Sequence, residues 1–298
     1  MTKKMHTDEI AINAELVKKL LLDQFPDWAD DYLTWMIPQG TDNAMVRLGE
    51  DKIVRLPRIE SASQSLEKES RWLPYLQPKL PIAVPEILGK GKPSKDYPFP
   101  WLITRYIEGC NPTQIDTIDL HQAANDLGNF ILSMHKIEPM RGPKCRRGRP
   151  LILCDEQVQS SIPLLEKEYD TKRLLDLWKN VSKKPAWTGR DVWMHGDLHA
   201  GNLLVKNKKL VGIVDFGLAG VGDPACDLMV AWTLLNKSSR KTFQSIVGLD
   251  ADTWQRALGW ALFLGIVGYP YYKKTNLEFA SIAKKALDQV IEDQENGI

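Results

Sequence analysis

Apolar residues recur at helical spacing near the start of the chain. In "DEIAINAELVKKLLLDQFP", Ile10, Ile12, Leu16, Leu20 and Leu21 fall at roughly helical spacing and Pro26 ends the pattern, which predicts an amphipathic helix. The texture then turns β-rich: "WMIPQGTDNAMVRLG" and "DKIVRLPR", joined through Gly49-Glu50-Asp51, predict a β-hairpin. A second helical pattern, "SASQSLEKESRWLPYLQ", carries serines suited to capping its start and stops before Pro78. "PFPWLITRYIEG" predicts a strand that ends in a glycine turn. Helix, strands, helix and strand make a small α+β lobe closing near Gly109.

Past Gly109 helical periodicity dominates. "DLHQAANDLGNFILSMHKI" sets Leu120, Ala124, Leu127, Phe130, Ile131 and Met134 on one side. "SSIPLLEKEYDTKRLLDLWKNV" and "DTWQRALGWALFLGIVGYPYY" also read as helix. Residues 141–150, rich in Arg, Gly and Pro, read as a loop whose "KCRRGR" cluster is solvated charge. Two short β-like runs, "NLLV" and "LVGIVDF", joined by "KNKK", break the helical texture. The predicted fold class is α+β and two-lobed, a small β-sheet lobe over residues 1–109 and a mostly helical lobe over 110–298.

Composition narrows the function classes. Of 298 residues 43% are apolar and 26% charged, as in ordinary globular proteins. A net charge of +1 argues against a nucleic-acid binder that relies on a basic surface. Cys110, Cys145, Cys154 and Cys226 form no C-x-x-C pair, so neither a zinc site nor a disulfide framework is indicated. The first residues lack an apolar core, and the run "WALFLGIVGYPYY" is too short to span a bilayer. The expectation is a cytoplasmic protein with no membrane, nucleic-acid or obligatory protein partner.

Candidate chemistry concentrates in "WMHGDLHAGNLLVKNKKLVGIVDFGLAG", Trp193 to Gly220. Gly196 permits an unusual backbone and Leu198 can bury to anchor the loop. Asp197 and Asn202 lie five residues apart, too far for one helix face, so a compact loop must converge them. The hairpin then returns the chain and brings Asp215 near Asn202. An amide oxygen and a carboxylate converging there can hold Mg²⁺, leaving Asp197 to serve a hydroxyl as base or orienter. Phosphoryl transfer requires this set. A single aspartate of this kind is often only a turn residue. The joint spacing, H-G-D with Asn at +5 and D-F-G at +18 from Asp197, is a kinase-like signature.

With "HGDLHAGN…IVDFG…GDPACDL" as its most specific part, the chain resembles the aminoglycoside phosphotransferase and choline kinase-like family. The resemblance covers nearly the whole chain and implies the two-lobed protein-kinase-like fold. It implies Asp197 as catalytic base, Asn202 and Asp215 as Mg²⁺ ligands, and ATP or GTP as donor. "GTDNAMVRL" takes the place of the nucleotide-covering loop, where backbone amides of Gly40, Thr41, Asp42 and Asn43 would meet phosphates. Arg55 stands where the family usually shows a strand lysine, with Glu69 as its helix partner. The alternative is an Arg55 that is only a surface strand residue. "ITRYIEG" resembles the inter-lobe hinge, with the Arg105 carbonyl and Ile107 amide facing adenine. Asp227 matches a residue that braces the loop around His195, whereas Asp223 reads as a turn residue and His195 and His199 as structural.

The acceptor, a small-molecule hydroxyl compound, is open: an aminoglycoside, a macrolide, or a metabolite in a housekeeping kinase. From Val221 onward nine acidic residues face eight basic ones, a balance that does not favour a polycation pocket. Trp232, Phe243, Trp254, Trp260, Phe263, Tyr269, Tyr271 and Tyr272 crowd that segment and read mainly as core. A catalytically impaired nucleotide-binding regulator, suggested by Arg55, is the rival from another class.

Overall fold

A computed structural model describes residues 9–36, 42–115, 117–139 and 142–295. The chain divides into two compact units, residues up to Pro78 with Ala83–Glu108, and Lys79–Ile82 with Gly109 onward.

In the first unit α1 spans Ala14–Gln24. It starts later than the apolar spacing suggests because the Asn13 side chain caps it, accepting the Leu16 N–H at 2.9 Å. Ile10, expected inside the helix, instead donates its amide to the Arg58 carbonyl. Next come β1 (Leu33–Trp35), β2 (Asn43–Leu48), β3 (Lys52–Pro57), α2 (Glu60–Leu76), β4 (Ile87–Gly91) and β5 (Trp101–Arg105). The strands form one antiparallel sheet in the order β1-β2-β3-β5-β4. The predicted hairpin is β2–β3, in register from Asn43↔Pro57 to Leu48↔Lys52, and Gly49 turns it with φ +59°.

The serine caps expected for α2 are not made: Ile59 precedes the helix without a side-chain cap, and Ser61 and Ser63 lie inside it. The helix also absorbs Pro74. Proline lacks the amide that the Ser70 carbonyl would accept, and Lys90 Nζ takes that carbonyl at 2.7 Å. Val17, Leu21, Val46, Val54, Leu56 and Trp101 centre the apolar core between α1 and the sheet.

In the second unit α3 (Leu120–Lys136) is capped by Asp119. The helical run expected over 160–181 is broken: α4 (Asp155–Ser161) gives way to a turn at Ile162–Leu165 containing Pro163. Asp170 then caps α5 (Thr171–Ser182). The chain continues as β6 (Val192–Met194), β7 (Leu203–Lys206), β8 (Lys209–Ile213), β9 (Gly220–Gly222), α6 (Val230–Thr233) and α7 (Lys237–Val247). It ends as α8 (Ala251–Phe263), a π-turn, α9 (Tyr269–Tyr272) and α10 (Leu277–Glu295). β7 and β8 form the predicted hairpin. Asn207 and Lys208 both take positive φ at its tip, the geometry that matches the strand twist in a two-residue turn. β6 pairs antiparallel with β9. Trp232, Phe243 and Trp260 are buried core, as their pattern predicts, while Tyr271 is 68% exposed. Among the described residues no helix is long and apolar enough to cross a membrane.

Candidate functional site

β6 delivers His195, Gly196 and Asp197 into a loop that is held mostly through its backbone. The buried Asp227 carboxylate accepts the His195 and Gly196 amides at 2.7 and 2.8 Å. Burial pushes the Asp227 carboxyl upward, and these amide bonds, with His195, oppose it. Gly196 sits at φ +80°, and a Cβ there would lie 2.6 Å from the Leu218 carbonyl oxygen and 2.8 Å from Cys145 Sγ. Only glycine satisfies both constraints. Leu198 is fully buried and anchors the loop from the other side.

His195 ties this loop to the strand before Asp215. Its Nδ1 accepts the Asp197 amide at 3.2 Å, which leaves the proton on Nε2 to be donated to the Val214 carbonyl at 3.0 Å. The ring also packs on Phe216 with centroids 4.6 Å apart. Both nitrogens are engaged in the scaffold, so the histidine is structural. His199 caps the turn at Ala200–Asn202 through Nδ1, while its Nε2 stands 3.6 Å from Asp197 Oδ1.

Asn202 and Asp215 flank the base of the β7–β8 hairpin. The Asn202 carbonyl accepts the Val214 amide at 2.9 Å, extending the Leu203↔Ile213 pairing, and Asp215 follows directly. Asn202 Nδ2 donates to the Asp197 carbonyl at 2.9 Å. That bond spends the amide nitrogen and leaves Oδ1 without a hydrogen bond among the described residues. Asp215 takes a left-handed backbone, φ +67°, unusual for a residue with a side chain. Among the described residues its carboxylate accepts only a long 3.4 Å bond from the Gly217 amide. One amide oxygen and one carboxylate, neither consumed by the scaffold, are hard donors that fit Mg²⁺. No group of three or more His, Cys, Asp or Glu among the described residues offers a competing metal site.

The "KCRRGR" segment, expected to be solvated, is instead strapped to β9. Cys145 N–H bonds the Val221 carbonyl, and Val221 N–H bonds that of Pro143. Gly220 and Gly222 allow this approach, since a Cβ on Gly220 would lie 2.6 Å from the Pro143 carbonyl oxygen. The strap sets Arg147 Nη1 on Asp197 Oδ1, with the two side chains only 26% and 19% exposed. Burial alone would raise the Asp197 carboxyl, but the Arg147 guanidinium, then His199, holds it well below the usual carboxylate range. Sequence reasoning missed Arg147 because a basic run has no period; the glycines flanking Val221 were the available signal.

The first unit carries the remaining candidates. Arg55, on β3, meets Glu69, on α2, through two parallel bonds, Nη1 to Oε1 and Nη2 to Oε2, the latter 3.0 Å. Both are buried, 6% and 1% exposed, so Arg55 is not a surface strand residue. Asp42 is an exposed bend residue and Asn43 opens β2; Gly40 and Thr41 lie outside the described residues. Arg105 ends β5, its side chain bridging Glu86 at 2.6 Å and Asp51 at 3.2 Å. Two residues on, the Ile107 amide has no hydrogen-bond partner among the described residues.

Comparison with known proteins gives the family and the fold. A phosphotransferase enzyme family is matched over residues 36–260. An aminoglycoside 3'-phosphotransferase of Escherichia coli is 27% identical over 162 residues, 50% of this chain and 59% of that protein. The match therefore spans somewhat over half the length of that curated relative. A solved GDP complex of an aminoglycoside 2'-phosphotransferase variant superposes with a TM-score of 0.71 at 20% identity, covering 95% of this chain and 98% of that one. A macrolide 2'-phosphotransferase from Brachybacterium faecium gives 0.61 at 19% identity, covering 92% and 97%. These likenesses show the expected α+β kinase-like fold, and the chain belongs to the phosphotransferase enzyme family.

Proposed function

We propose that the protein is a Mg²⁺-dependent small-molecule O-phosphotransferase that moves the γ-phosphoryl of ATP or GTP to an acceptor hydroxyl. The observation that carries the reading is the division among three side chains in one loop and hairpin. Asn202 and Asp215 present uncommitted oxygens, while Asp197 is fixed separately. Asn202 and Asp215 would hold Mg²⁺, which would neutralise phosphate charge. Asp197 orients the acceptor hydroxyl and takes its proton as the new ester bond forms. Its lowered basicity suits a loose transition state, in which alignment matters more than proton abstraction.

The first unit is assigned the nucleotide. Amides from Thr41 to Asn43 cover phosphates, and Arg55, oriented by Glu69, donates to them. The Arg105 carbonyl and Ile107 amide meet the base. The GDP held by the solved relative supports a nucleotide donor, and the names of the relatives support an antibiotic or another polyhydroxylated acceptor. The intact Arg55–Glu69 fork weighs against an impaired regulator. A coupled assay of nucleoside diphosphate release over aminoglycosides, macrolides and hydroxylated metabolites tests the reading. At least one acceptor should stimulate release that EDTA and Asp197→Asn both abolish. Nucleotide binding with no transfer to any acceptor would establish the regulator instead.

A further inference from the structure

Arg147 places a cation on the carboxylate that the proposed mechanism gives to the acceptor hydroxyl. Its position is built, not incidental, since the strap bonds β9 on both sides of Lys144 and the Asp223 amide reaches the Gly148 carbonyl at 3.4 Å. The strap carries three further bases. Lys144 is paired with Asp191, but Arg146 and Arg149 have no acidic partner among the described residues, and Arg149 Nε is buried without a hydrogen bond. Elsewhere in the unit four carboxylates are already committed to cations of the protein itself. Asp223 is held by Arg256, Asp293 by Arg240, Glu168 by Lys273 and Asp288 by Lys284.

Resting on the phosphotransferase reading, we infer that the acceptor is a hydroxyl compound bearing an anionic group, carboxylate or phosphate, and that Arg147 is the residue that selects it. Arg147 exchanges Asp197 for the acceptor's anion, which frees the Asp197 oxygen for the hydroxyl. A guanidinium offers a two-pronged match to either anion, so the exchange replaces one charge-assisted pair with another. An ammonium-rich acceptor meets repulsion at the same point.

The test uses acceptors matched except for charge: glycerol and glycerate, glucose and gluconate, glucose and glucose 6-phosphate, with kanamycin as polycation. Nucleoside diphosphate release is measured for wild type, Arg147→Lys and Arg147→Ala. In parallel, the Arg147 side-chain ¹⁵Nε resonance, assigned by its loss in Arg147→Lys, is followed as gluconate or glucose 6-phosphate is added. The carboxylate and phosphate arms say which anion is preferred. The expected result is a kcat/KM at least about tenfold higher for an anionic member than for its neutral partner. Arg147→Ala should raise the KM of that anionic acceptor about tenfold or more, with partial rescue by Arg147→Lys and an unchanged nucleotide KM. Fastest transfer to kanamycin or a neutral alcohol, indifferent to Arg147→Ala, overturns the inference and leaves the phosphotransferase reading standing. An Arg147 resonance that neither anion moves overturns it as well. Anions that move the resonance without transfer in any arm support the selection and sink the phosphotransferase reading.

Discussion

Glu69 is 1% exposed, so whatever replaces Arg55 decides the fate of a buried carboxylate. From sequence, Arg55→Ala would be expected to weaken nucleotide use and spare the fold. The buried fork changes that expectation: the alanine variant strips Glu69 of both fork bonds and should lose stability, by up to about 3–5 kcal/mol. Arg55→Lys keeps a cation and should retain both fold and much of the activity. Denaturant unfolding and the nucleotide KM, measured on both variants, check this. An alanine variant as stable as wild type contradicts the pairing.

His135, in the last turn of α3, carries a second residue-scale prediction. A helix C-terminus favours a charged histidine by under about 1 kcal/mol, yet burial outweighs that and lowers this pKa to about 4. Its Nε2 is buried with no hydrogen-bond partner among the described residues. Above the unfolded value of 6.5 both states are neutral and stability is complete. Between 6.5 and about 4 only the unfolded state takes the proton, so stability falls as pH falls, by roughly 3 kcal/mol at most. His135→Leu should flatten that slope in unfolding measured from pH 7 to pH 4, and an unchanged slope would place its origin elsewhere.

Among the elements, those with a strong period or a defined turn were legible in the sequence. The β7–β8 hairpin shows in two β-rich runs around "KNKK", and α3 in its apolar stripe. The three-residue β6 and β9 do not: β6 is too short to show a period, and in β9 Gly220 and Gly222 hide a strand that pairs through backbone alone. β4, with Gly89 and Gly91, is hidden likewise; a Cβ at Gly91 would lie 1.9 Å from Trp101, so ring packing requires that glycine. The Asp197–Asn202–Asp215 spacing exposed its loop and hairpin, but the Arg147 strap comes from a remote segment that no local spacing encodes. Gly196 is the element-scale test of the loop. Gly196→Ala meets both a positive φ and the Leu218 carbonyl, and should cost roughly 1–3 kcal/mol while lowering kcat. An alanine variant with wild-type stability and turnover would show that the loop tolerates a shift there.

For the molecule as a whole, the helical unit is held by ion pairs that its sequence balance conceals. Arg240 on α7 and Asp293 on α10 are both buried, and Trp232 Nε1 also donates to Asp293 at 2.8 Å. Arg240→Met should destabilise by about 3–5 kcal/mol, and Arg240→Met with Asp293→Leu should recover most of it, since apolar groups of similar size can replace a buried pair. Unfolding curves of the single and double variants test that coupling. The family match covers residues 36–260 and the kinase-like fold 95% of the chain, whereas the proposed division of labour is a local claim: Asp197 serves the acceptor, and Asp215 serves the metal and nucleotide. Titrating Mg²⁺–nucleotide into Asp197→Asn and Asp215→Asn, with turnover measured on the same samples, tests that claim most directly. Asp197→Asn should bind nucleotide as wild type does and lose turnover by about 10²-fold or more. Asp215→Asn should lose metal-dependent binding and turnover together. Wild-type turnover in Asp197→Asn, or equal loss of nucleotide binding in both variants, would contradict the assignment.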